Sequence, residues 1–192
     1  MDKSLVTDSP SDALSESLDG GFLGDKSGDP NGQLFCGDID MRIARDGTWY
    51  YHGSPIERRQ LVKLFGSILK RDDQGDFWLE TPVEKCRIQV EDAPFQAVEM
   101  TVEGEEQNQR LTFRTNVDDI VIAGLENQLR VVIDPVTGEP SPYLQVRDGI
   151  DAMITRAVFY DLVALAVEKQ DEGRMVLGVW SNGVCFTLGQ AD

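Results

Sequence analysis

The sequence predicts an α+β fold: two small subdomains that repeat a hairpin–helix–strand motif, with antiparallel sheets each packed on one helix. Three observations lead there. Short alternating strands surround turn residues at Asp46-Gly47, Thr137-Gly138 and Asn182-Gly183. Two apolar-periodic stretches, 55–70 and about 151–168, each follow such a turn region. Sliding one onto the other by 98 positions matches Arg58 with Arg156, Leu61 with Phe159, Leu64 with Leu162 and Phe65 with Val163. The same shift matches Ile68 with Ala166 and Leu69 with Val167, and only two of the six pairs are identities, so the repeat is one of pattern.

Residues 1–33 read as a disordered acidic tail. They hold seven acids against two lysines, scattered serines and Gly20-Gly21, with almost no apolar periodicity. The N-terminal subdomain is expected over 34–116. Ile39, Met41 and Ile43 alternate with Asp40 and Arg42 as in a half-buried strand. Asp46-Gly47 turns the chain, and Trp49–His52 is the return strand. Ser54 is then expected as an N-cap, with Pro55 at the first helical position and Glu57 completing a capping box. Leu61, Leu64, Phe65, Ile68 and Leu69 give helix 55–70 one apolar face. A meander follows at 77–80, 85–91, 96–102 and 111–115.

A linker is expected at 117–128, where the apolar run 120–123 follows two aspartates. The C-terminal subdomain, 129–190, opens with strands at 129–133 and 143–146. Its helix, 151–168, buries Ile154, Val158, Leu162 and Leu165. The chain ends in a hairpin around Asn182-Gly183 that pairs Trp180 with Cys185 and Val179 with Phe186.

Charge and composition exclude several function classes. The chain of 192 residues carries a net charge of −16, which repels a phosphate backbone and disfavours nucleic-acid binding. Only 36–71 is basic, with seven bases against four acids. This is a solvated helix face, or a surface for an acidic partner or for the chain's own acidic half. No apolar run approaches the ~20 residues of a membrane span, and no signal-peptide pattern opens the chain, so a cytoplasmic protein is expected. Cys36, Cys86 and Cys185 are odd in number and lack CxxC spacing, which suits reduced, buried thiols.

Several segments together resemble a bacterial family known as domain of unknown function 1285. They are Cys36–Met41, Asp46–Tyr50, Gly53–Ile56, Thr81–Lys85, Val90–Phe95 and Phe113–Asn116. The resemblance spans roughly 36–188. It implies an α+β fold of two subdomains and an involvement in signal transduction.

The residues themselves name no catalytic group, metal site or cofactor. His52 is the single histidine and lies in an aromatic strand. Zinc spacing, an EF-hand loop, phosphate-binding glycine loops and GxSxG are all missing from the sequence. The best remaining site is the set of polar residues at strand ends of the meander. Lys85 and Arg114 would hold an anionic group, and Thr81, Glu84, Thr115 and Asn116 would orient it. The competing reading of the same residues is turn and cap chemistry. The expected function is a binding or regulatory module that holds a small anionic ligand or a protein partner between the subdomains. The alternative is an enzyme that uses carboxylates without histidine. Two facing carboxylates about 5–10 Å apart would favour the enzyme, and aromatics with one or two cations would favour binding.

Overall fold

Alternation of apolar and polar residues dominates the chain, and strands follow from it. In the computed structural model, which describes residues 34–171 and 173–191, 54% of those residues lie in strands and 14% in helices. The fold is therefore β-rich, and the α+β expectation of sheets each packed on one helix is corrected. The expected tail, 1–33, lies outside the described residues. The chain divides into two compact units. One holds the described residues up to Arg42 together with Trp49–Gln89. The other holds Ile43–Thr48 together with the chain from Val90 onward.

In the first unit, β1 (Leu34–Ile43), β2 (Trp49–Tyr51) and β3 (Ser54–Pro55) precede helix α1 (Arg59–Ile68). Strands β4 (Leu69–Arg71), β5 (Phe77–Glu80) and β6 (Glu84–Val90) follow it. They form one sheet in the order β3-β2-β1-β6-β5-β4. The central pair is parallel: the Leu34 amide donates to the Val83 carbonyl at 2.8 Å, and the Glu91 amide to the Ile43 carbonyl at 3.0 Å. Met41, Trp49, Phe65, Leu69, Leu79 and Cys86 are buried in the core, with Phe65 stacked on Trp49 at 6.2 Å between ring centroids. Fully burying a side chain such as Phe65 contributes about 1.5–3 kcal/mol.

The expected capping box does not form. Ser54 and Pro55 instead pair with Tyr51 and Tyr50 as an edge strand. His52 at φ 47 and Gly53 at φ 75 make the two-residue turn that this pairing needs. Helix α1 starts four residues later, with Arg58 at its N-cap and no side-chain cap.

In the second unit, β7 (Phe95–Glu103), β8 (Arg110–Thr115) and β9 (Ile120–Ile122) are followed by β10 (Leu129–Ile133), β11 (Pro140–Arg147) and β12 (Ile150–Ile154). Their sheet runs β10-β11-β12-β7-β8-β9, with β12 parallel to β7 and Ala152 opposite Phe95. Helix α2 (Arg156–Ala164) leads to a separate sheet of β13 (Val167–Asp171), β14 (Arg174–Ser181) and β15 (Val184–Gln190). Buried Ser181 ties that sheet to the larger one. Its hydroxyl accepts from the Leu111 amide at 2.9 Å and donates to the Ala123 carbonyl at 2.7 Å.

Two further expectations change. Of the expected helix 151–168, residues 151–154 are strand and 167–168 begin another strand. Ile150, Ala152 and Ile154 are buried in alternation, a period of two rather than 3.6. The helix-centred repeat also fails. The strand after α1 rejoins the sheet that precedes the helix, whereas the strand after α2 leaves for a third sheet. What the two six-stranded sheets share is a pair of three-stranded meanders joined through one central parallel pair. The expected linker, 117–128, carries β9 inside the second unit. No described helix is long and apolar enough to cross a membrane.

Candidate functional site

The six residues expected at the site fall into both units. In the first, buried Thr81 closes a turn: its hydroxyl accepts from the Glu84 amide at 3.0 Å and donates to the Glu84 carbonyl at 3.3 Å. Half-buried Glu84 follows in β6, and the Lys85 ammonium lies 4.4 Å from the centre of the Trp78 ring. In the second, Arg114 donates to Glu99 at 2.7 Å and to Asp118 at 3.1 Å. Thr115 is fully buried and accepts from the Asp119 amide at 3.0 Å. Asn116 accepts from the Gln96 amide at 3.0 Å and donates to the Gly47 carbonyl at 3.4 Å. Lys85 and Arg114 thus belong to different units. The hydrogen bonds and ion pairs described for Thr81, Arg114, Thr115 and Asn116 are those of turns, strand ends and local charge pairs.

A different set of residues in the second unit lines a half-open cavity of about 530 Å³. Its walls come from the start of β11, the end of β12, the first turns of α2 and the turn between β1 and β2. In β11, Tyr143 pairs with Met153, which brings Pro142 and Ser141 beside the end of β12. The chain then enters α2 at Arg156. Because residues three and four apart share a helix face, Arg156, Phe159 and Tyr160 all line the cavity. Phe159 is half-buried, whereas Arg156 and Tyr160 reach solvent. Arg156 forms no ion pair among the described residues, and the Thr155 side chain does not cap the helix.

Arg45, in the turn between β1 and β2, supplies a second cation to the lining. Its amide donates to Glu91 at 3.0 Å, and its carbonyl accepts from Gln96 Nε2 at 2.9 Å. Its Nε lies 3.1 Å from Asp92 Oδ2, while Asp92 Oδ1 accepts from the Tyr143 hydroxyl at 2.9 Å. Burial, with that bond to Asp92 next, pushes the Tyr143 phenol above its ordinary pKa, so it stays protonated as the donor. The guanidinium is thereby oriented through Nε. Glu139 is the one carboxylate in the lining. Two guanidinium groups, a Ser141 hydroxyl and two aromatic rings can hold an anionic head on an apolar body.

Comparison with known families places this geometry in context. Residues 30–93 match the domain of unknown function (DUF1285), N-terminal domain, and residues 94–188 match the C-terminal domain of the same family. The chain belongs to the DUF1285 family. A DUF1285 family protein from Silicibacter pomeroyi DSS-3 is 46% identical, with 93% of this chain and 95% of that chain covered and a TM-score of 0.78. A DUF1285 family protein from Shewanella baltica OS155 is 28% identical over 66% of this chain and 91% of that chain, with a TM-score of 0.52. No curated protein matches. In this DUF1285 chain the cavity is lined mainly by the C-terminal family domain, and Arg45 comes from residues matched by the N-terminal one.

The sequence held one trace of the cavity, the Arg156-x-x-Phe159-Tyr160 spacing, which was absorbed into a longer expected helix. Arg45 had none. It reaches the site through Gln96, 51 residues downstream, a contact that no local pattern announces.

Proposed function

We propose that this DUF1285 protein is a non-catalytic binding module for a small organic anion, held in the cavity between Arg45 and Arg156. The carrying observation is that two arginines from separate elements line one cavity together with Phe159 and Tyr160. The volume falls within the usual ~300–1,000 Å³ range of small-ligand sites. With a single carboxylate in its lining, the cavity offers cations and rings rather than an acid–base pair. The signalling role implied by the family resemblance takes the form of ligand-dependent presentation of the surface around α2. The same reading puts the protein in the cytoplasm, where its three unbridged cysteines are thiols in the resting protein.

Thermal shift against a panel of aliphatic and aromatic carboxylates and phosphate monoesters tests this reading. At least one class should raise the melting temperature in a saturable way. Arg45→Ala with Arg156→Ala should abolish that rise and leave the apo melting temperature within a few degrees. A flat response to the whole panel, or a rise retained by the double variant, would overturn the proposal.

A further inference from the structure

Outside the cavity, the first unit brings two nucleophilic side chains together. Cys36 in β1 and Cys86 in β6 sit on neighbouring parallel strands, and the bond from the Leu34 amide to the Val83 carbonyl sets a register that brings position 36 beside position 86. Adjacent strands lie about 4.8 Å apart, inside the ~4.4–6.8 Å Cα separation that a disulfide spans. The two thiols differ in access: Cys36 is half-buried and Cys86 is 3% exposed. Cys185 is in the other unit, on β15 opposite Trp180, and serves as an internal reference.

We propose that Cys36 and Cys86 are an oxidation site, closing to a cross-strand disulfide when the protein meets a peroxide. The Cys36 thiolate attacks one peroxide oxygen, the O–O bond breaks, and hydroxide leaves, giving a sulfenic acid at Cys36. The Cys86 sulfur then attacks the Cys36 sulfur. The S–O bond breaks and the departing hydroxyl takes the Cys86 proton as water. Two thiols and one hydrogen peroxide thus become one disulfide and two waters. Burial, with the neighbouring Cys36 next, pushes the Cys86 thiol well above its ordinary pKa. A protonated, buried Cys86 resists the oxidant, so the more accessible Cys36 meets it first, and Cys86 reacts only as its proton passes to the departing hydroxyl. The product links strands 50 positions apart in sequence, so it constrains the unfolded chain.

The test uses the full chain treated with hydrogen peroxide, quenched, alkylated and mapped by mass spectrometry. Titratable thiols under denaturing conditions should fall from three to one per chain. The linked peptides should join Cys36 to Cys86, dithiothreitol should restore all three thiols, and the oxidised protein should unfold at higher urea. In Cys86→Ser, a sulfenic-acid trap such as dimedone should label Cys36. Separate alkylation of Cys36 and Cys86 after oxidation, or a link from either to Cys185, would overturn the proposal. Because the mapping is read on the unsubstituted chain, a poorly folding variant leaves it decisive.

Discussion

Gly47 adopts φ +80, where a side chain is strained, and a Cβ there would stand 2.7 Å from Gln96 Cγ and 2.9 Å from Asn116 Nδ2. Both requirements single out glycine. Gly47→Ala should lower stability by at least about 1–2 kcal/mol, seen as a lower urea midpoint. It should also weaken ligand binding by shifting Arg45, two positions away. An unchanged midpoint would refute the requirement. A second residue-scale prediction concerns acid. The Arg87 hydrogen bond to Asp38 lowers that carboxyl below its usual range, and the amides of Thr137 and Val136 lower Asp134. Burial alone would raise Asp72, but the indole of Trp78 at 2.7 Å and the amides of Asp76 and Gln74 bring it down. Depressed folded-state values stabilise the protein above the unfolded carboxylate pKa of about 4, and this stability is lost as pH falls through the folded values. The urea midpoint should hold between pH 7 and 5 as far as these groups are concerned, and drop below about pH 4. Asp38→Asn with Asp72→Asn should make the acid slope shallower, and an identical slope would count against the assignment.

Helix α1 begins at Arg59, with Arg58 at the N-cap, no side-chain cap and no acid in its first turn. Arg58→Asp would supply an acceptor for the first amides and a charge that suits the helix dipole. The expected gain is about 0.5–1 kcal/mol in urea unfolding, whereas Ser54→Ala, on exposed β3, should change stability by less than about 0.5 kcal/mol. The reverse ranking would restore the capping-box reading. The strands near 77–80, 85–91, 96–102 and 111–115 and the final hairpin were legible because alternation and Asn182-Gly183 are local signals, but the single meander expected of those four strands is divided between two sheets. Asn182 at φ 50 and Gly183 at φ 77 make the turn, and Trp180 pairs with Cys185 as expected. The elements misread were those where a local signal had a non-local competitor. Ser54-Pro55 carries the marks of a helix start, but the turn at His52-Gly53 returns it to Tyr50 and Tyr51. Residues 151–154 fit a helix by periodicity, yet pairing with β11 and β7 makes them strand.

At the scale of the whole chain, a net charge of −16 opposes compactness through self-repulsion. Raising salt from about 50 to 300 mM shortens the screening length from roughly 14 to 6 Å and should raise the apo melting temperature. The same change should diminish ligand-induced stabilisation, because the cavity's arginines attract the anion less. Salt trends of one sign in both measurements would contradict this division. The site was less legible than the fold because its walls converge from 45, 139–142 and 153–160. One of those walls has a bearing on synthesis. The turn carrying Arg45 leaves the ribosome early, but Gln96 follows 51 residues after Arg45, and Asn116 follows 69 after Gly47. A ribosome paused at the junction of the two family domains displays that turn before either side chain that seats it has been made. The cation can take its place only after translation has passed Asn116, and a fragment beginning at residue 94 has no arginine of its own to put there.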